Sequence, residues 1–270
     1  MDDFEKAVRE LLKPIEGTFA YEAMVKNHLN TEKYRPWVEA IDTYKPVKGS
    51  IVLSSGCGTA NDLVAFLDKG AAQVCGVEVE ADQVRVAQLR FANDARRDRV
   101  EVVLYDGRSL PYGREQFDII FSIHVIEHVV HVRAYLEELF RVLKPGGIVF
   151  LDFPNRFHRI EQHTGLSRVH LLPHRLREVV LAGALKPAMK RRLSEHAAQK
   201  LNALRGMRPP YPWQVTCACR SLGKRHHVVV EEAFLHDYGV RKIPFSKAWR
   251  SPFDIFRNLT TCRMILRKKG

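Results

Sequence analysis

Ile51-Val-Leu-Ser-Ser-Gly-Cys-Gly-Thr-Ala-Asn-Asp62 joins a short apolar run to a glycine turn and then to the start of a helical pattern. The apolar run predicts a buried strand, and Gly56 and Gly58 allow the backbone of the turn to approach a ligand closely. The helix that follows presents free N–H groups and the positive end of its dipole to the same place. Together these elements are typical of a site for a nucleotide-type cofactor.

Strand and helix patterns alternate from residue 50 to residue 153. Strands are predicted at residues 50–54, 73–79, 100–105, 117–122 and 148–153, and helices at 61–69, 81–94 and 132–143. Repeated alternation of this kind implies a parallel sheet with right-handed crossovers and helices on both faces. We therefore expect an α/β chain with a doubly wound, Rossmann-like, seven-stranded and mostly parallel sheet. A ligand is expected at the carboxyl ends of its strands.

The rest of the chain is expected to form three further segments. Residues 1–49 look mainly helical and should pack beside the site. Residues 154–227 carry no clear strand pattern and predict a basic, mostly helical insertion after the fifth strand, which caps the acceptor side of the 50–153 core. Residues 228–270 contain two strand patterns that would complete the sheet.

The whole chain has a formal net charge of +12. Its positive charge is concentrated in the second half. Residues 1–150 contain 19 Lys and Arg against 23 Asp and Glu, whereas residues 151–270 contain 24 against 8. A basic surface attracts phosphates, nucleic acid or an anionic membrane surface, or it serves only solubility. The five cysteines lack framework spacing, and neither a secretory signal pattern nor a membrane-spanning apolar run is found, so we expect a cytoplasmic protein with reduced thiols.

Further landmarks follow the glycine turn in a fixed order. Glu78 ends the second strand, where a carboxylate can accept hydrogen bonds from ribose hydroxyls. Asp106-Gly107 follows the third strand, where an acid can accept from an adenine amino group. The run from Phe117 to His128 leads from the fourth strand into a loop above the site, and Lys144-Pro-Gly-Gly147 precedes the fifth. With these landmarks in order, residues 50–153 resemble the class I S-adenosylmethionine-dependent methyltransferases, which implies S-adenosylmethionine as the cofactor.

The resemblance implies a set of cofactor-binding residues, and the chain departs from the family pattern at two positions. Ser54 stands where the family commonly has an acid, so it can hydrogen-bond the methionine amino group but lacks the charge. Ala60 replaces the third glycine of the turn. The residues predicted to contact the cofactor are Ser54, Gly56, Cys57, Gly58, Glu78, Val79, Asp106, Gly107, Ser122 and Ile123.

Histidine is the residue best suited to remove a proton from an acceptor hydroxyl near neutral pH. We select His124, His128, His158 and His163 as candidate bases, and each is also open to a structural or surface role. His28 is a further candidate in the N-terminal region. The string from His124 to His128 also matches the His-x-x-Glu-His pattern of inverted zinc proteases, but that chemistry needs both histidines on one face of a long helix. No metal is therefore predicted.

The expected reaction is methyl transfer to an oxygen of a small or saccharide-like acceptor. Arginines after the fifth strand would suit an acceptor that is anionic or lipid-linked. An RNA methyltransferase is an alternative suggested by the basic second half. A catalytically silent binding protein is another, suggested by Ser54 and Ala60. A nicotinamide-dependent oxidoreductase is disfavoured because Asn61 stands where its fingerprint requires glycine. The basic stretch 186–205 also suggests peripheral membrane contact.

Overall fold

A computed structural model describes residues 2–17, 21–154, 172, 176, 212–236, 242–244 and 261–270 of the 270-residue chain. Its helices and strands are, in chain order, α1 (Asp3–Leu11), α2 (Tyr21–Leu29), α3 (Arg35–Asp42), β1 (Ile51–Ser55), α4 (Asn61–Asp68), β2 (Gln73–Glu78), α5 (Ala81–Phe91), β3 (Val100–Leu104), β4 (Phe117–Ile123), α6 (Val132–Val142), β5 (Leu143–Pro154), α7 (Pro212–His226), β6 (Val228–His236), β7 (Lys242–Pro244) and β8 (Thr261–Lys268). From β1 to α6 these bounds agree with the predicted ones to within a few residues.

The described strands form one sheet in the order β3-β2-β1-β4-β5-β8-β6-β7. The first five are parallel to one another, and β8, β6 and β7 join antiparallel. This confirms the predicted doubly wound α/β fold and places the switch point between β1 and β4. The described part of the chain has eight strands rather than seven because β7 pairs with the edge of β6. With three residues, β7 is too short to produce a periodic pattern.

Side chains of the central strands alternate between two hydrophobic layers. Val52 packs with α3, α4 and α5 on one face of the sheet, whereas Leu53 packs with α6 and α7 on the other. The same alternation separates Ile119 from Ile120 in β4. A strand that is covered on both faces needs apolar residues at nearly every position, which explains the continuous apolar runs in the sequence.

The N-terminal helices form a third hydrophobic cluster on the outer side of α5. Val8 of α1 and Val25 of α2 are buried there together with Val86 of α5. A 3₁₀ turn, Thr31–Tyr34, then carries the chain along α4 before α3 begins. The N-terminal segment therefore passes close to the start of α4, where the glycine turn lies.

Helix α7 covers one face of the sheet. Its residues Val215, Cys219 and Leu222 are buried in the same layer as α6, and the helix also contacts β6. Of the predicted insertion at 154–227, the structure describes α7, Pro154, His227 and the single residues 172 and 176. The segment expected to cap the acceptor side lies otherwise outside the described residues.

Candidate cofactor and catalytic site

The turn after β1 is held tightly against its neighbours. Gly56 and Gly58 have φ values of +74° and +54°, in the left-handed region that favours glycine, and Ala60 adopts a φ of 63° there as well. The N–H of Gly56 donates to the carbonyl of Val77 in β2 over 2.9 Å. A Cβ on Gly56 would lie 2.5 Å from Cγ2 of Val125. The first glycine of the turn therefore leaves no room for a larger residue.

Glu78, at the end of β2, is bonded to the glycine turn. Its Oε2 accepts from the N–H of Gly58 at 2.9 Å, and its Oε1 accepts from the N–H of Val79 at 2.7 Å. Because a carboxylate offers about four lone-pair sites, Glu78 retains acceptor capacity for ligand hydroxyls. Cys57 is buried beside it, and burial together with the Asp62 and Glu78 carboxylates raises the pKa of its thiol well above the usual value. Cys57 is therefore a neutral thiol.

Asp106 and Gly107 form the turn after β3. Oδ1 of Asp106 accepts from the N–H groups of Ser109 and Arg108 at 2.9 and 2.8 Å, and these bonds lower the pKa of the exposed carboxyl. Gly107 has a φ of +73°, and a Cβ on it would lie 3.3 Å from Cγ1 of Val79, which is 52% exposed. The turn thus combines a charged acceptor with an open apolar edge. Contact with adenine stays a prediction.

Ser122 and Ile123 end β4 beyond the point where its pairing with β1 stops at Ser54. The Ser122 hydroxyl lies 2.8 Å from the hydroxyl of Tyr135, which donates to Oγ of Ser55 at 3.0 Å. The side chain of Ser122 is therefore engaged beneath the site. A contact between Ser122 and a cofactor would therefore use its backbone.

Asp62, in the first turn of α4, lies directly behind Ser54. The Ser54 hydroxyl donates to Oδ2 of Asp62, and the two side chains are 1% and 4% exposed. Burial raises the pKa of Asp62 to about 6, although the Ser54 hydroxyl and N–H groups of the first turn oppose that shift. Oδ1 of Asp62 has no hydrogen-bond partner among the described residues. A carboxylate therefore stands beside the position for which the sequence predicted a missing charge.

Arg90 of α5 ties the N-terminal segment to the turn. It donates to the carbonyls of Thr59 and His28 at 2.7 Å each, and also to the side-chain oxygen of Asn61. Nδ1 of His28 lies 2.9 Å from the Thr59 hydroxyl. Burial, and the positive charges of Lys33 and Arg90, lower the pKa of His28 to about 4. His28 is therefore uncharged at neutral pH and contacts the turn rather than standing free as a base.

Lys33 and Tyr34 approach Asp62 from the 3₁₀ turn. The ring of Tyr34 packs edge-on against Phe121 with centroids 6.0 Å apart, and Nζ of Lys33 lies 5.1 Å from the Tyr34 centroid. Burial lowers the pKa of Lys33, and the Asp62 charge opposes that change. Burial and the Asp62 charge both raise the pKa of Tyr34. A cation and a neutral phenol therefore line the side of the site nearest Asp62.

His124 follows β4 in a left-handed conformation, with a φ of 55°, and its N–H donates to the Asp152 carbonyl at 2.9 Å. Its Nδ1 lies 3.4 Å from Oε1 of Glu127, which is completely buried. Neither Glu127 oxygen has a hydrogen-bond partner among the residues described. Burial acts against a charged imidazole, but attraction by Glu127 and Asp152 outweighs it, so the pKa of His124 is raised. Asp152 is itself paired with Arg263 at 2.7 Å.

The structure separates the four predicted bases. His124 lies at the end of β4 beside Glu127, whereas His128 is exposed. His158 and His163 lie outside the described residues. The stretch from His124 to His131 is a turn and not a helix, so it cannot present two histidines as an inverted zinc protease does. Within the described ranges, no group of three or more His, Cys, Asp or Glu side chains is arranged to hold a metal ion.

Residues 53–151 match the family model described as a methyltransferase domain. The core of this chain is a class I S-adenosylmethionine-dependent methyltransferase domain. The methyltransferase domain is 35% identical over 99 residues to the methyltransferase GfsG of Streptomyces halstedii, an alignment that covers 37% of this chain and 36% of that protein. It is 32% identical over 117 residues to a ubiquinone biosynthesis O-methyltransferase of Chelativorans sp. (strain BNC1), covering 42% of this chain and 43% of that protein. The chain thus spans less than half the length of these relatives.

Solved structures share the fold of the methyltransferase domain. Geranyl diphosphate methyltransferase in complex with S-adenosylmethionine has a TM-score of 0.59 at 13% sequence identity, and the match covers 94% of this chain and 92% of that one. In the part of the present chain that is described, no helix has both the length and the apolar character needed to cross a membrane.

S-adenosylmethionine is the cofactor of this domain, and the residues present suit its parts. The turn at Gly56 and Gly58 has no Cβ to keep a ligand away from its backbone. Glu78 retains acceptor capacity at the end of β2, and Asp62 has an unpartnered oxygen near the end of β1. Hydroxyl groups and an ammonium group are the ligand groups that such acceptors bind.

Asp62, Glu127, Lys33 and Tyr34 were not selected from the sequence. Asp62 looks like an ordinary first-turn acid, since negative charge is favourable at a helix N-terminus. The sequence feature that indicates its burial is the apolar run 63–67 that follows it, and the structure buries that run. Glu127 lies between His124 and His128, and only the two histidines were predicted to have a role in the site. Lys33 and Tyr34 reach the site only through tertiary packing.

Proposed function

We propose that this protein transfers the methyl group of S-adenosylmethionine to an oxygen of a small or saccharide-like acceptor. The observation that carries the proposal is His124 beside the buried Glu127, at the carboxyl end of β4 next to the switch point. When bound, S-adenosylmethionine supplies a methyl group on a positively charged sulfur. The protein must then align the acceptor with that methyl group and exclude water, and alignment alone contributes about 7–11 kcal/mol.

Within this proposal, His124 accepts the proton of the acceptor hydroxyl. Its Nδ1 faces Glu127, so Nε2 is the nitrogen available to the acceptor. The negative charge of Glu127 stabilises the imidazolium that forms, which is the role of a carboxylate behind a catalytic histidine. The left-handed backbone at His124 costs free energy, and the hydrogen bond from its N–H to the Asp152 carbonyl helps to hold it.

The cofactor positions are assigned from the strand ends. Glu78 accepts from the ribose hydroxyls, and Asp106 accepts from the adenine amino group. Val79 and Gly107 provide the apolar edge beside the adenine ring. Backbone groups of the glycine turn, of Ser122 and of the residue after it approach the methionine part. What supports these assignments is the position of each residue at the carboxyl end of a parallel strand.

An acceptor that carries a phosphate or carboxylate group, or a lipid-linked one, is supported by the composition of the second half, with 24 Lys and Arg against 8 Asp and Glu. Guanidinium groups bind such oxyanions through paired hydrogen bonds. The O-methyltransferase of Chelativorans sp. supports an oxygen acceptor by its name, and the structural neighbour is named for a diphosphate compound.

The test measures release of S-adenosylhomocysteine from S-adenosylmethionine with phosphorylated saccharides, lipid-linked saccharides, phenols and RNA as acceptors. We expect transfer to an oxygen acceptor. The His124→Gln variant should lose about 10²–10⁴-fold in kcat and keep its affinity for S-adenosylhomocysteine, because a general base contributes to that extent. The exposed His128→Gln variant is the matched control and should keep its kcat.

Three outcomes would refute the proposal. Transfer only to RNA would favour the nucleic-acid alternative suggested by the basic second half. Tight binding of S-adenosylhomocysteine without transfer to any acceptor would favour a catalytically silent protein. Equal losses of kcat in His124→Gln and His128→Gln would remove His124 from the role of base.

A further inference from the structure

Asp62 is a buried carboxylate with one satisfied and one unsatisfied oxygen. Oδ2 accepts from the Ser54 hydroxyl, and Oδ1 meets no donor among the described residues. The side chain is 4% exposed. A buried anion with an unpaired oxygen destabilises a protein unless a cation or a ligand compensates it. The position of Asp62 beside the cofactor turn indicates that a ligand is the missing partner.

The charged and titratable side chains near Asp62 give its Oδ1 no hydrogen bond. They are Lys33, Tyr34, Cys57 and Arg90. Burial and the Asp62 charge raise the pKa of both Tyr34 and Cys57, so these two groups are neutral. Arg90 directs its N–H groups to two backbone carbonyls and a side-chain amide, and Lys33 lies over the Tyr34 ring. The hydroxyl of Ser54 is therefore the side-chain donor that the described residues provide to the carboxylate, beside the N–H groups of the first turn.

The carboxylate of Asp62 lies one hydrogen bond away from the end of β1. Ser54 occupies the place, two residues before Gly56, where an acid is commonly found in the class I methyltransferases. An acid at that place contributes negative charge near the amino group of the methionine moiety. In this chain Asp62, in the first turn of α4, provides a negative charge near the end of β1. Its carboxylate is hydrogen-bonded to the Ser54 hydroxyl.

We propose that Asp62, positioned by Ser54, is the anionic group that binds the cationic amino group of the methionine moiety of S-adenosylmethionine. The amino group donates to Oδ1, which the protein leaves unpartnered, while Oδ2 stays bonded to Ser54. The inference rests on the proposed function, because it assigns a residue within the same cofactor site. It also assigns Ser54 a positioning role in place of direct charge recognition.

The experiment compares S-adenosylhomocysteine with its deamino analogue, which lacks only the amino group, by calorimetry on the full chain. The wild type should bind S-adenosylhomocysteine about 10- to 100-fold more tightly than the analogue, as expected for a charge-assisted hydrogen bond. Asp62→Asn should reduce that preference to about threefold or less, chiefly by lowering the affinity for S-adenosylhomocysteine. A preference that persists in Asp62→Asn would overturn the inference.

Asp68→Asn is the matched control. Asp68 lies at the other end of α4, where it pairs with Arg96 at 2.6 Å, so its replacement should leave the preference for the amino group unchanged. A general effect of lost negative charge in α4 would appear equally in both variants and would also overturn the inference.

A double variant, Ser54→Asp with Asp62→Ser, exchanges the two side chains and keeps the carboxylate and the hydroxyl in contact. It should keep the preference for the amino group. If Asp62→Asn does not fold, this variant provides the test of the charge at the end of β1. Loss of the preference in the folded exchange variant would contradict the equivalence of the two positions. If wild-type protein binds S-adenosylhomocysteine at all, failure of these tests concerns only Asp62; if it does not bind, the proposed function fails as well.

Discussion

Gly56→Ala measures how closely the cofactor turn approaches the loop after β4. Its φ of +74° would place an alanine in the left-handed region, which costs about 1–2 kcal/mol. The added Cβ would also lie 2.5 Å from Cγ2 of Val125, whose branched side chain is stiff, so its displacement costs about 0.5–1.5 kcal/mol more. We therefore expect the free energy of unfolding to fall by about 1.5–3.5 kcal/mol.

Gly146→Ala separates the two contributions. Gly146 has the same φ of +74°, but nothing lies within 4 Å of a Cβ built on it. Its replacement should therefore cost only the backbone part, about 1–2 kcal/mol. Adding Val125→Ala to Gly56→Ala completes a double-mutant cycle, and it should recover about 0.5–1.5 kcal/mol as a coupling energy.

Urea denaturation of these variants, followed by circular dichroism, gives the free energies of unfolding, and calorimetry with S-adenosylhomocysteine gives the affinities. Gly56→Ala should also weaken binding, because the turn must move away from Val125, whereas Gly146→Ala should not. Equal stability losses for the two glycine variants, or a coupling energy near zero with Val125, would refute the contact argument.

Three other variants test separate contacts. Glu127→Gln should move the acid limb of the pH–rate profile to lower pH, because Glu127 raises the pKa of His124 and the base must be neutral to act; an unmoved limb would exclude the pairing. Asp62→Asn should stabilise the ligand-free protein at pH 8 by up to about 2–3 kcal/mol and leave it unchanged near pH 4, since a pKa raised to about 6 favours folding only while the group is protonated; melting temperatures at both values check this. Arg90→Met should lower the free energy of unfolding by about 2–4 kcal/mol and speed amide hydrogen exchange in Tyr21–Leu29, and unchanged exchange rates there would contradict the tie to the turn.

The core of the fold could be predicted because its evidence is local. The five parallel strands are short apolar runs bounded by glycine, acidic or proline residues, and buried strands of a parallel sheet require such runs. Their bounds shifted by only a few residues, except that β5 begins at Leu143, five residues before the predicted start. The run Lys144-Pro-Gly-Gly147, which was predicted to precede the fifth strand, therefore lies within it.

The parts that could not be predicted depend on contacts between distant residues. An acid at the start of a helix is equally compatible with solvent and with burial, so Asp62 gave no sign of its bond to Ser54. The burial of Glu127 is decided by the packing around it. Arg90 is separated from His28 by 62 residues, and a one-dimensional pattern does not show that the two meet.

Within the described site, the sequence predicts a local feature only where the backbone conformation requires a particular residue type. The glycine turn had to have residues with positive φ, and Gly56 and Gly58 have them. No rule selects one histidine out of several for contact with a carboxylate. His124 and His128 were therefore equivalent in the sequence, and the structure distinguishes them.

The place of β8 in the sheet has a consequence for the synthesis of this protein. Pro154 in β5 pairs with Thr261 in β8, and 107 positions separate them. Translation proceeds at about 5–20 residues per second, so a nascent chain exposes the bare edge of an apolar β5 for about 5–20 s. Unprotected strand edges pair readily with other chains. Ribosome-bound chaperones should therefore engage this chain mainly during that interval, and their depletion should lead to aggregation of newly made protein.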